Sequence, residues 1–237
     1  MRIIAAIAVL AFTQLTFAEG EPAASSSGRY GRYSAGVWIM GGHVKSEATG
    51  ELVFTNAGAF PTLTSGERVP IGVDANGSGF EGLFGYSFSQ WFSWHGGIIG
   101  ISGKDSRDYT TSKGTTHHID VKTGTAVISP FIWTGYPLEW LYLQAGVGII
   151  GEAIKVESNI TNVGNFDTGA KGGCLILGVG VDYPLNSVVS FNGGLRVVSA
   201  RLKEESSNQG TTDTFTATLN DHDVTYSMIR LGVNFYL

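Results

Sequence analysis

Cysteine is almost missing from this chain. Cys174 is the single one among 237 residues, so no internal disulfide can form. Its neighbours Leu175, Leu177, Val179 and Val181 fall on the opposite strand face, which turns the thiol inward as a small buried group rather than a nucleophile. Basic residues are also few. Lys and Arg number 15 against 20 acids, for a net charge of −5, and this excludes a nucleic-acid partner held by a basic surface. Long apolar runs are lacking beyond the N-terminus, and a typical later one, Ile149-Ile150-Gly151-Glu152, breaks at once. Any membrane insertion must therefore use strands, and only a closed barrel leaves no unpaired backbone in lipid. No Leu-x-x-Cys lipobox is present.

The N-terminus has a cationic start, Met1-Arg2, an apolar stretch from Ile3 to Leu10 that continues to Phe12, and small residues at Thr16 and Ala18. The stretch is shorter than the roughly 20 residues of a spanning helix and reads as a secretory signal peptide over 1–18, cut before Glu19. The mature chain of about 219 residues suits one all-β domain. Residues 19–29, rich in Ser, Ala, Gly and Pro, read as a flexible leader,.

From residue 30 onward the pattern is alternation. Eight strands are predicted near 33–45, 77–89, 91–103, 120–133, 140–155, 172–183, 187–202 and 222–237. The last shows the period most plainly. From Ile229 onward, Ile229, Leu231, Val233, Phe235 and Leu237 form an apolar face, while Met228, Arg230, Gly232, Asn234 and Tyr236 form a mostly small or polar one,. The fourth strand is the least regular, because Pro130 cannot donate to a ladder. Connections alternate in length. Those over 46–76, 104–119, 156–171 and 203–221 are long and polar, whereas 89–90, 134–139 and 184–186 are short. This is the pattern of a transmembrane barrel with short turns at one end and loops at the other. Trp91, Phe92, Trp94, Trp133, Tyr136, Trp140, Tyr142, Tyr183, Phe235 and Tyr236 gather near the short-turn end, where rings favour a bilayer interface,. The predicted fold is all-β, an eight-stranded antiparallel up-and-down transmembrane β-barrel spanning 30–237.

Three stretches carry a family resemblance: Gly85-Tyr86-Ser-Phe-Ser-Gln-Trp91-Phe-Ser-Trp94, Gly146-Val-Gly148, and Gly178-Val-Gly180-Val-Asp182-Tyr183. With the terminal strand they make the chain resemble small eight-stranded outer-membrane barrels of the OmpA/OmpX/opacity-protein type. Arg230-x-Gly232-x-x-Phe235-x-Leu237 resembles the terminal signal by which assembly machinery recognises such barrels. The resemblance implies residence in a bacterial outer membrane after signal cleavage. Outer-membrane lipid and the barrel assembly machinery are the implied partners. The chain stops at the eighth strand, so no periplasmic peptidoglycan-binding domain is expected.

Strand parity turns Glu81, Gln144, Glu152, Asp182, Asn192, Arg196 and Arg230 inward. Buried charges need partners, so these residues are expected to form an ion-pair and hydrogen-bond network plugging a bore that is only side-chain wide. Gly146-Val-Gly148-Ile-Ile-Gly151 matches a dinucleotide-binding string but lies inside a strand without the required helix. His117-His118 with Asp120, and Asp221-His222-Asp223, contain ligand-type residues at no recognised metal spacing and read as solvated loop residues. No catalytic, cofactor-binding or metal site is expected. The favoured function is a non-enzymatic scaffold whose four extracellular loops serve adhesion, surface interaction or ligand binding. The alternatives are a narrow-pore channel or a barrel hydrolase acting on lipid A, for which His43 and Ser46 offer a start without a matching acid.

Overall fold

The computed structural model describes residues 30–54, 62–159, 165–207 and 215–237. The expected signal peptide over 1–18 and the expected leader over 19–29 lie outside the described residues. Among the described residues eleven strands follow one another: β1 (Tyr33–Ser46), β2 (Thr49–Phe54), β3 (Glu67–Pro70), β4 (Asp74–Ser89), β5 (Phe92–Thr110), β6 (Thr116–Leu138), β7 (Leu141–Ser158), β8 (Phe166–Pro184), β9 (Val189–Ser207), β10 (Phe215–Leu219) and β11 (His222–Tyr236). Eight of them close an antiparallel ring in the order β1-β11-β9-β8-β7-β6-β5-β4. The ring is sealed where β1 meets β11, from Ser34 opposite Tyr236 to Ser46 opposite Val224.

Short connections join β4 to β5, β6 to β7 and β8 to β9 as the sequence pattern predicts, but the second is confined to residues 139–140, because β6 stays paired with β7 through most of the predicted turn over 134–139. In the β8–β9 turn the side chain of Asn186 accepts from the backbone N–H groups of Val188 and Val189, both at 2.8 Å, the fold-back that Asn favours. Pro130 sits in an interruption of the β6–β7 register between Ile128 and Phe131. A bulge tolerates a residue without an N–H, and it leaves both Pro130 and Phe131 exposed.

The long connections differ from expectation. The region over 104–119 is mostly strand: β5 and β6 stay paired up to Thr110 opposite Thr116. The chain turns over residues 111–115, where Gly114 has φ +80°, a value that suits glycine. The connections over 46–76 and 203–221 are not simple loops either. They contribute β2, β3 and β10, which form a separate three-stranded sheet in the order β10-β2-β3. Leu52, Leu63, Val69, Ile71 and Val73 of this region pack in one buried cluster with Val44, Ile101, Val121, Val156, Leu202 and Val224 of the barrel. Under the cap the bore thus contains an apolar core, which the sequence reading, resting on the inward polar residues, did not include.

The outside carries two zones. Val37, Phe84, Ile98, Ile128, Val147, Leu177, Leu195 and Leu231, one from each barrel strand, are between 47% and 62% exposed. Toward the cap the outward positions turn to charge, with Lys45, Asp74, Lys104, Lys122, Lys155, Asp167, Arg201 and Asp223, again one per strand. Of the aromatic residues near the short turns, Trp91, Phe92, Trp133, Trp140, Tyr183 and Phe235 face outward, but Tyr136, Tyr142 and Tyr236 are buried inside the ring. For two of them the hydroxyl explains this: Tyr236 donates to Asp182, and Tyr142 accepts from Arg230, both within the bore.

Candidate functional site

The chemistry-bearing residues converge inside the lower and middle bore. Alternation fixes this, because every second residue of each strand must enter the ring. Glu81 on β4 lies between two arginines, with Oε1 2.8 Å from Arg196 Nη2 and Oε2 2.6 Å from Arg230 Nη1. Each of the three is 1% exposed. Gln144 on β7 completes the group. Its Oε1 accepts from Arg196 at 2.9 Å and from Arg230, and its Nε2 donates to Thr134 at 2.9 Å. Tyr142 accepts from Arg230 at 3.0 Å. The carboxyl group, both guanidiniums, an amide and a phenol therefore bridge β4, β7, β9 and β11 across the bore.

Space for this plug comes from glycine. A Cβ on Gly180 would lie 2.3 Å from the Tyr142 hydroxyl, and one on Gly232 would lie 2.3 Å from Trp38 Cδ1. Gly232, singled out above as part of a terminal signal, here leaves room for the indole of Trp38. Phe235 and Leu237, from the same stretch, are 44% and 72% exposed on the outer wall.

Glu152 and Asp182 do not join the arginines. Glu152 faces the cap side, where Oε2 is 3.1 Å from Ser46 Oγ and 2.9 Å from His222 Nε2, and Oε1 accepts from Tyr226 at 3.1 Å. Asp182 lies toward the short turns and accepts from Asn192 at 2.7 Å and from Tyr236 at 3.0 Å. The seven inward residues thus form three clusters along the axis. Sequence reasoning missed His95, Tyr142, Tyr226 and His222 as members. His95 lies 3.0 Å from Thr134 through Nδ1 and 3.5 Å from Ser34 through Nε2. Inward parity would have found all four.

The histidine motifs read as loop residues are placed differently. His117 and His222 lie on strands, are buried, and point inward. His118 alone is exposed, 3.0 Å from Asp108 and 3.9 Å from Asp120. Among the described residues no three metal-ligating side chains come together. His43 and Ser46 are on opposite faces of β1: His43 pairs outside with Asp74 at 3.1 Å, while Ser46 turns inward.

The cap has its own anchor. Glu67 Oε1 accepts from Tyr109 and from the Ser112 backbone, each at 2.6 Å, and Oε2 accepts from the Thr64 backbone at 2.9 Å and from Ser112 Oγ at 3.0 Å. Burial pushes the Glu67 carboxyl up. The hydrogen bonds from Tyr109, Thr64 and Ser112 outweigh that and hold it below the usual range,.

No family model matches the chain, and no curated protein matches its sequence. Solved structures resemble it in shape. The outer membrane protein OprG from Pseudomonas aeruginosa is 12% identical, with 90% of this chain and 99% of that one covered and a TM-score of 0.48. Ail, the attachment invasion locus protein of Yersinia pestis, is 12% identical, with 88% and 99% covered and a TM-score of 0.40. The outer membrane protease OmpT from Escherichia coli is 11% identical, with 92% and 99% covered and a TM-score of 0.43. These values describe a likeness of fold, and no activity follows from them. The eight-stranded ring itself is defined by its strand pairing.

Proposed function

We propose that the protein spans a bacterial outer membrane as a closed, non-conducting and non-enzymatic barrel that presents its cap to the outside. The apolar belt carries this reading. All eight barrel strands turn large apolar residues outward around a bore that holds three buried clusters of acidic and polar side chains. A soluble barrel has the reverse arrangement, whereas lipid-facing strands are apolar out and polar in. An exposed apolar surface that encircles the molecule needs a hydrocarbon neighbour. The charged outward positions toward the cap then stand in water, with β2, β3 and β10 above them.

The closed bore follows from the Glu81–Arg196–Arg230 plug and from the apolar core under the cap. A non-enzymatic role is supported by the cluster that comes nearest to a hydrolase. Ser46, His222 and Glu152 meet, but Glu152 Oε2 contacts both of the others. Nucleophilic catalysis needs the histidine between the serine and the acid, and here all three are buried. The proposed partners are membrane lipid, the barrel assembly machinery and an extracellular ligand taken by the cap.

The test is heat modifiability of the outer-membrane fraction on a detergent gel. The expected result is a mobility shift only on boiling. A protein found soluble in the periplasm, without such a shift, would overturn the proposal.

A further inference from the structure

The plug contains more positive than negative charge. Glu81 contributes one carboxylate, and it faces both Arg196 and Arg230. A guanidinium keeps its proton in proteins, so the group carries a net charge of one. Gln144 and Tyr142, which complete it, are neutral. The other inward carboxylates are engaged elsewhere, Glu152 with Ser46, His222 and Tyr226 and Asp182 with Asn192 and Tyr236. The rings of Trp38 and Tyr142 lie 5.2 and 5.4 Å from Arg230 Cζ and offset part of the excess. An uncompensated charge in a buried site remains costly.

The hydrogen-bond inventory leans the same way. Arg196 Nε and Nη1, Arg230 Nε and Trp38 Nε1 are buried donors that meet no acceptor among the described residues. Gln144 Oε1 already serves both arginines and the Tyr142 hydroxyl serves Arg230; Glu81 Oε1, 2.8 Å from Arg196 Nη2, is the one acceptor of the group without a directed hydrogen bond, so the unpartnered donors still outnumber the acceptors. The plug is short of acceptors and of negative charge together. Water would supply acceptors and leave the charge. A small anion supplies both.

We propose that the plug binds one small monovalent anion of chloride size at the unpartnered guanidinium nitrogens, Nε and Nη1 of Arg196 and Nε of Arg230. The packing sets the size limit. Around the plug the fit is tight, since a Cβ on Gly180 or Gly194 would lie 2.3 or 2.7 Å from the Tyr142 hydroxyl, and tight packing favours the smallest anions. The bound ion ties β9 to β11 from inside the ring. It adds a binding site to the closed barrel proposed above and is independent of what the cap recognises.

The experiment uses the mature chain folded in phosphatidylcholine vesicles. The temperature at which its gel mobility changes is measured while sodium gluconate is replaced by sodium chloride or bromide at constant ionic strength. The expected result is a rise of about 3–5 °C for each tenfold increase in halide above its dissociation constant. Arg196→Met removes the excess charge and is expected to lose the halide dependence. Crystals of the unaltered protein grown in bromide are expected to show an anomalous peak beside the unpartnered nitrogens of Arg196 and Arg230, which decides the matter if the variant does not fold. A transition indifferent to the anion, a halide dependence that survives Arg196→Met, or crystals without the bromide peak would each overturn the proposal.

Discussion

Glu81 is the residue on which the bore depends most. Both buried arginines use it as their counter-charge, at 2.8 and 2.6 Å. Glu81→Gln preserves size and some hydrogen bonding but leaves two guanidinium groups without a carboxylate. Removing one partner of a buried ion pair costs about 3–5 kcal/mol, so urea unfolding of the variant in vesicles is expected to show a loss of that order. A loss below about 1 kcal/mol, the range of exposed pairs, would mean that water reaches the plug. Glu67 makes a second prediction at this scale, for the cap. Its carboxyl group is held below the usual value of 4.5. A depressed value stabilises the folded form above pH 4.5, and the gain is lost as pH falls through the lower folded value. Hydrogen-exchange protection over residues 62–70 is therefore expected to hold at pH 6 and to fall near pH 3. Glu67→Gln is expected to lower it at pH 6 and to flatten the pH dependence. Unchanged protection at both pH values would remove Glu67 as the anchor.

At the scale of strands, alternation carries its information only where the two faces differ. β11 was legible because Ile229, Leu231, Val233 and Phe235 oppose Met228, Arg230, Gly232 and Asn234. The outer part of β5 was not. There Lys104, Ser106 and Asp108 face out while Asp105 and Arg107 face in, so both faces are polar and the stretch resembles a loop. β2, β3 and β10 have 6, 4 and 5 residues, too short for a period to show, and their pairing joins segments far apart in the chain. The inward parity of the charged residues was legible for the same reason as the strands, but their partners were not, because partners are set by height along the axis. Glu152 therefore meets His222 rather than an arginine, and His222 itself was hidden between Asp221 and Asp223. The belt gives this scale its prediction. Val147 on β7 is 54% exposed within the apolar zone, and Val147→Arg is expected to cost about 2–4 kcal/mol in vesicles, the range for a cation near the bilayer midplane. Lys155 lies on the same face in the charged zone, and Lys155→Ala is expected to change stability by less than about 0.5 kcal/mol. Equal effects at the two positions would show that the zones do not correspond to lipid and water.

The whole molecule is a ring turned inside out relative to a soluble barrel, with the Glu81, Arg196 and Arg230 side chains in its middle, an apolar core beneath a small sheet, and an apolar outer wall. Its central claim is that the wall faces lipid, and tryptophan reports on this directly. Trp91, Trp133 and Trp140 are 56%, 43% and 53% exposed on that wall, while Trp38 is buried inside. The measurement is tryptophan emission from the folded protein in vesicles whose acyl chains carry bromine, compared with unbrominated vesicles. Strong quenching, leaving a residual emission from Trp38, is the predicted result. Emission unaffected by the bromine, with the protein recovered free of the vesicles, would contradict the account.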